Sequence, residues 1–181
     1  MSTSFDMYMP MSTTKRHNNI ISFLIGKVLH LIEKKEIHAW HEECALVHYG
    51  SKKSLGFELV DVKSIDNVEH FLEDVIIELD YVNPDFVLFA KNPYIENKKR
   101  TRTAGQPDLI VEVWSESNTK NDRAFIQNLY GTSPVTEHWY IEQDSNTVQC
   151  YIGEKKLSDQ YLTNVLVTIN GIEFDLRYLA I

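Results

Sequence analysis

The chain has 181 residues, 43% of them hydrophobic and 24% charged, and a formal net charge of −8; that length fits one domain that buries roughly 70% of its unfolded surface without staples. Two cysteines, Cys44 and Cys150, lie far apart in sequence and give neither a disulfide framework nor metal-ligand spacing, which suits a reducing cytosol. No apolar run approaches the ~20 residues of a membrane span, and the opening MSTSFDMYMPMSTTKRHNN lacks the apolar stretch of a signal peptide, so a cytoplasmic protein with no membrane partner is expected.

Residues 1–16, rich in Ser, Thr and Met, read as a weakly ordered arm, and residues 17–181 as a single domain. From His17 to Lys35 the pattern changes. Ile20, Ile21, Leu24, Val28, Leu31 and Ile32 recur at helical spacing and predict an amphipathic helix. Extended stretches follow: ECALVHYG, GFELVDV and VIIELDYV, with a short helical turn expected in SIDNVEHFLED. NPDFVLFA is a strand opened by proline, where a missing N–H does least harm.

The segment KNPYIENKKRTRTAG reads as a polar loop. Its Lys91, Lys98, Lys99, Arg100 and Arg102 face a single acid, Glu96. An acidic chain cannot bind nucleic acid by overall attraction, so it needs a local basic patch such as this one; the alternative is an ordinary solvated loop. QPDLIVEVWS is a second proline-opened strand. A helix is predicted over 121–130, with Phe125, Ile126 and Leu129 as its apolar face and Pro134 beyond its end. EHWYIEQ, the turn DSN and TVQCYIG read as a strand pair. VLVTI, the turn NG and IEFDLRYLAI close the chain. Strands dominate the middle and helices lie on each side, as in an α/β or α+β sheet domain.

Two of these strands begin with Pro-Asp. If they pair as an antiparallel hairpin across the basic loop, the start of the first lies beside the end of the second. Asp85 then faces Glu112, while Asp108 falls at the opposite end, nearer Phe89. Glu112 shares a strand face with Ile110 and Trp114, and Leu109, Val111 and Val113 take the other. A carboxylate in so apolar a run needs a partner or a metal. Two converging carboxylates can bind a hard cation such as Mg²⁺, which prefers oxygen ligands and keeps some water. The metal would lower the pKa of an attacking water and offset charge on a scissile phosphate. The plain alternative is turn chemistry, since Asp after Pro is common at strand starts.

The stretch PDLIVEVWSESNTKNDR, a helix ending in Tyr130, and EHWYIEQ together resemble the Uma-type restriction-endonuclease family of the PD-(D/E)XK nuclease superfamily. The likeness runs without a gap from Gly105 to Tyr151. Pro107, Asp108, Leu109, Glu112, Val113, Ser115, Ser117, Asp122, Arg123, Tyr130, Val135, Glu137 and Trp139 stand in matching places. The upstream PDFVLF matches the family's preceding Pro-Asp strand, and the helix start at His17 and the closing NGIEFDLRYL fit loosely. The resemblance implies a restriction-endonuclease-like fold, a central mixed β-sheet flanked by helices. It also implies that Asp85 and Glu112 are the metal-binding carboxylates.

The departures concern the cation. The superfamily places a lysine two residues after the glutamate, where this chain has Trp114. The Uma-type family carries its lysine on the following helix, where this chain has Ile126. Gln127 is adjacent but points about 100° away on a helix. Lys120, just before the helix, is the candidate substitute. The family's Ser-Pro-Ser is Ser115-Glu116-Ser117, and its Glu-Tyr-Trp is Glu137-His138-Trp139.

The expected function is a Mg²⁺- or Mn²⁺-dependent endonuclease acting on DNA, with Asp85 and Glu112 as metal ligands, Lys120 assisting, and homodimerisation to cut both strands. The alternative is a nuclease-fold protein without turnover that serves as a binding or interaction module. A third possibility is a structural homodimer built on the Trp and Tyr residues. His38 and His41 beside Glu42 and Glu43 lack the His-Glu-x-x-His spacing of a zinc-peptidase helix. Trp40, Trp114 and Trp139 read as core or interface residues rather than base-stacking platforms. There is no phosphate loop, glycine-rich dinucleotide motif or Gly-x-Ser-x-Gly, which argues against a nucleotide cofactor and against acyl transfer.

Overall fold

A computed structural model describes residues 14–34, 39–41, 45–47, 81–82, 84–91, 94–96, 102–105, 107–131, 137–161, 164–168 and 170–179. Helix α1 spans Lys15–Glu33. Its start is set by Thr14, whose Oγ1 accepts the His17 N–H at 3.1 Å. A threonine in this place satisfies one of the free N–H groups of the first turn. Ile20, Ile21, Leu24, Val28 and Leu31 form its buried stripe, as their spacing predicts.

The main sheet has six strands: β1 (Ala39–His41), β4 (Phe86–Phe89), β7 (Leu109–Trp114), β8 (Glu137–Glu142), β9 (Thr147–Ile152) and β10 (Lys155–Tyr161), in that spatial order. It is mixed. β7 and β8 are parallel, with Glu112 beside Tyr140, and the other neighbours are antiparallel. The β7–β8 crossover carries helix α2, Lys120–Gly131, as a parallel pair requires. A second sheet of four strands holds β2 (Ala45–Val47), β3 (Tyr81–Val82), β5 (Tyr94–Glu96) and β6 (Arg102–Gly105). A hairpin of β11 (Val165–Val167) and β12 (Glu173–Asp175) leads into a 3-10 turn, Leu176–Leu179. Gly171 sits in the connection at φ 79°, which explains the Asn-Gly signal there.

Side-chain alternation divides the sheet's burial in two. Leu109, Val111 and Val113 join Phe86, Leu88, Trp139 and Ile141 against α1 and the closing hairpin. Ile110 and Trp114 join Val87, Phe89 and Tyr140 against α2. The two-faced pattern read from LIVEVW is therefore real, and Glu112 belongs to the α2 face.

Three sequence expectations change. The segment read as a basic loop contributes β5 and β6, because they pair with each other and β6 continues onto β2. The strand β10 was not anticipated: its residues are mostly exposed, so no apolar alternation marks it, and pairing to β9 alone defines it. In α2, Phe125 is 50% exposed, while Tyr130 is buried and Ile126 and Leu129 pack beside it. At about 100° per residue, Phe125 lies well round the helix from Tyr130. The expected arm falls mostly outside the described residues, as do GFELVDV, SIDNVEHFLED and most of IHAWHEEC.

Candidate functional site

Phe86 stands opposite Val111 and Leu88 opposite Leu109, so the next pair outward is Asp85 and Glu112. The two carboxylates meet closely enough for a side-chain hydrogen bond. The ladder between β4 and β7 runs out at this end, and the Val113 N–H needs another acceptor. Asp85 supplies it, with Oδ2 at 2.7 Å. Its other oxygen, Oδ1, lies 3.1 Å from Nε2 of His17 in the first turn of α1. Asp85 is thus fixed from β7 on one side and from α1 on the other.

Glu112 is fixed from α2. The Tyr130 hydroxyl donates to Oε1 of Glu112 at 2.5 Å. Burial first, and then the Asp85 charge, push the Glu112 carboxyl well above its ordinary range, and the Tyr130 bond only partly opposes this. Burial, followed by the Glu112 charge, raises the Tyr130 phenol. Tyr140, beside Glu112 on β8, is fully buried and is raised by burial and then by Glu112. His138, two residues earlier on the same face, is lowered to about 4 by burial.

Trp114, at the superfamily's lysine position, stacks on Tyr140 with ring centroids 4.3 Å apart. Arg123 lies over the Trp114 ring at 5.0 Å. Its guanidinium also donates to Glu142 Oε1 at 2.6 Å, the Ser115 carbonyl at 2.8 Å and the Asn118 carbonyl at 3.1 Å. This cation braces the turn between β7 and α2. Thr119 and Asp122 cap α2 reciprocally, each side chain accepting the other's N–H.

The structure brings Asp85 and Glu112 together at one end of the β4–β7 pair. Lys120 is the exposed first residue of α2. Ile126, at the family's lysine position, is half-buried against the aromatic cluster. Asp108 has a different task. Its Oδ2 accepts the N–H groups of Ala90 at 2.8 Å and Lys91 at 2.9 Å, and Oδ1 accepts Nδ2 of Asn170 at 2.7 Å. It ties the far end of the β4–β7 pair to the closing hairpin. Lys91 is exposed, and the side chains of Lys98, Lys99, Arg100 and Arg102 lie outside the described residues. Sequence reasoning gave no role to His17, Tyr130 or Tyr140; the matching place of Tyr130 and the looser match at His17 were the available signals.

The donor set suits a hard divalent ion held through few protein ligands. Two carboxylates from opposed strands supply oxygen donors, and a cation would offset both the burial and the Asp85 charge that push the Glu112 carboxyl up. Val113 directs its N–H to Asp85, and a strand residue turns its carbonyl toward the same side. Among the described residues no group of three or more His, Cys, Asp and Glu is arranged to hold a metal ion, so water and substrate oxygens would complete the shell. Such partial protein coordination is usual for Mg²⁺.

Comparison with known proteins agrees with the sequence motifs. The family model Uma2, described as "Putative restriction endonuclease", matches residues 58–173. A crystal structure of a "putative nuclease belonging to DUF820" from Anabaena variabilis ATCC 29413 superposes with a TM-score of 0.61 at 12% identity, covering 94% of this chain and 82% of the other. That likeness shows the restriction-endonuclease-like fold. No match was found among curated proteins.

Proposed function

The chain belongs to the Uma2 restriction-endonuclease family, and from that premise we propose that it is a Mg²⁺- or Mn²⁺-dependent nuclease that hydrolyses phosphodiester bonds in DNA. The observation that carries the proposal is the convergence of Asp85 and Glu112 at one end of the β4–β7 pair. These two residues would hold the ion, which when bound lowers the pKa of water and neutralises phosphate charge. The chain's own residues prepare the place. The Val113 N–H and His17 orient Asp85. Tyr130 orients Glu112 through Oε1. The raised Glu112 carboxyl takes up a proton more readily than an ordinary carboxylate. Lys120, exposed at the start of α2, is the cation that would contact a phosphate in this reading. Two cuts require two sites, so a homodimer in the cytoplasm is the form we assign.

A second reading has its own support. Trp114 and Ile126 occupy both positions at which the superfamily and the family carry the lysine. A protein that kept the fold and the carboxylates while losing the cation would bind DNA or a protein partner without cleaving it.

The test is cleavage of single- and double-stranded DNA of varied sequence with Mg²⁺ or Mn²⁺, wild type beside Glu112→Gln. Metal-dependent nicking lost in the variant supports the nuclease. Binding of DNA without cleavage at any metal concentration favours the second reading. Cleavage that persists in the variant and in chelator refutes the proposed site.

A further inference from the structure

We infer that Tyr140 does the work of the missing lysine, its hydroxyl being the polar group that would hold a water or a phosphate oxygen beside Glu112. The inference rests on the metal-nuclease reading and adds a residue to it.

Tyr140 stands beside Glu112 in the β7–β8 register, and both belong to the face covered by α2. Tyr130, in the same cluster, already donates its hydroxyl to Glu112 Oε1. Trp114, at the superfamily's lysine position, stacks on the Tyr140 ring, so the two share one face of the sheet.

The decisive observation is the hydroxyl itself. It is fully buried and finds no hydrogen-bond partner among the described residues. Buried hydroxyls are normally paired, because leaving one unpaired destabilises the fold. Phenylalanine would fill the same aromatic slot between Trp114, His138 and Tyr151 without that cost. A polar group kept against stability points to a use outside the folded chain's own bonding. The neighbouring His138 leaves Nδ1 buried and unpartnered on the same face, so the polarity of this row exceeds what the fold consumes. Both a phenol and an ammonium group can donate a hydrogen bond to a water or phosphate oxygen. The phenol does so without adding a positive charge beside Glu112.

The experiment is Tyr140→Phe, read by Mn²⁺ calorimetry and by thermal unfolding of the metal-free protein. Tyr151→Phe is the control, since its hydroxyl already bonds Gln149 Oε1 at 3.3 Å. The expected result is an unchanged or raised Tm with Mn²⁺ affinity reduced about tenfold, roughly one good hydrogen bond, and an unchanged affinity in the control. Equal Mn²⁺ affinity in Tyr140→Phe overturns the inference while leaving the carboxylate site intact. A lowered Tm together with lowered affinity assigns the hydroxyl to the fold and overturns it as well. Wild type that binds no Mn²⁺ even with a phosphodiester oligonucleotide present removes the metal-nuclease reading and the inference together.

Discussion

Tyr130, in the last turn of α2, donates its hydroxyl to Glu112 on β7 across 2.5 Å. This bond reaches from the crossover helix to the only acid in an otherwise apolar strand, LIVEVW. It supports the ionised carboxylate, while burial and Asp85 oppose it and prevail.

That balance fixes the sign of a pH dependence. Below the ordinary glutamate value of 4.5, Glu112 is protonated in both folded and unfolded chains. As pH rises through and above it, the unfolded chain releases its proton while the folded one retains it, so stability falls until the raised folded value is passed. Glu112→Gln removes this slope and keeps an acceptor for Tyr130. The metal-free variant is expected to be more stable than wild type near neutral pH, by about 1–2 kcal/mol, with the difference vanishing toward pH 4. Thermal unfolding across pH 4–8 measures it. A variant less stable at every pH would contradict the assignment.

Asp108 is expected to matter for stability and not for metal. Its carboxylate serves two N–H groups and the Asn170 amide. Asp108→Ala strands these donors and should cost about 3 kcal/mol in denaturant unfolding. Mn²⁺ affinity of the folded fraction should be unchanged.

Arg123→Lys tests the brace between β7 and α2. A lysine keeps the charge but loses the fork that reaches Glu142 and two carbonyls while lying over Trp114. A loss of about 1–2 kcal/mol is expected by chemical denaturation. A neutral outcome would show the fork to be dispensable.

Ile126→Lys places an ammonium group one turn before Tyr130, on the α2 side that packs over the aromatic cluster. The lysine stem replaces most of the lost apolar contact, so a stability cost of about 1 kcal/mol is expected. Metal-dependent DNA cleavage should rise at least tenfold if the lysine was limiting. Unchanged cleavage would show that the site works, or fails, for another reason.

Much of this fold was legible because it is written in periodicity. α1 and β9 each carry one buried face and so leave a helical or alternating trace, while β4, β7 and β8 are buried on both faces and read as short apolar runs. The antiparallel placement of Asp85 against Glu112 followed from two Pro-Asp strand starts flanking one connection. What stayed hidden depends on partners distant in sequence. β10 lacks a buried face, and β5 and β6 are strands through their neighbours rather than their composition. His17 meets Asp85 across most of a domain, and Tyr140 meets Glu112 only through the β7–β8 register. No local pattern records either contact.

The central claim is that Asp85 and Glu112 form one divalent-cation site. Isothermal titration of Mn²⁺ and Mg²⁺ into wild type, Asp85→Asn and Glu112→Gln tests it most directly. Saturable binding to wild type is expected at millimolar metal or below, with at least a tenfold loss of affinity in each variant. Binding that survives both substitutions, or wild type that binds no metal with a phosphodiester oligonucleotide present to complete the shell, would contradict it.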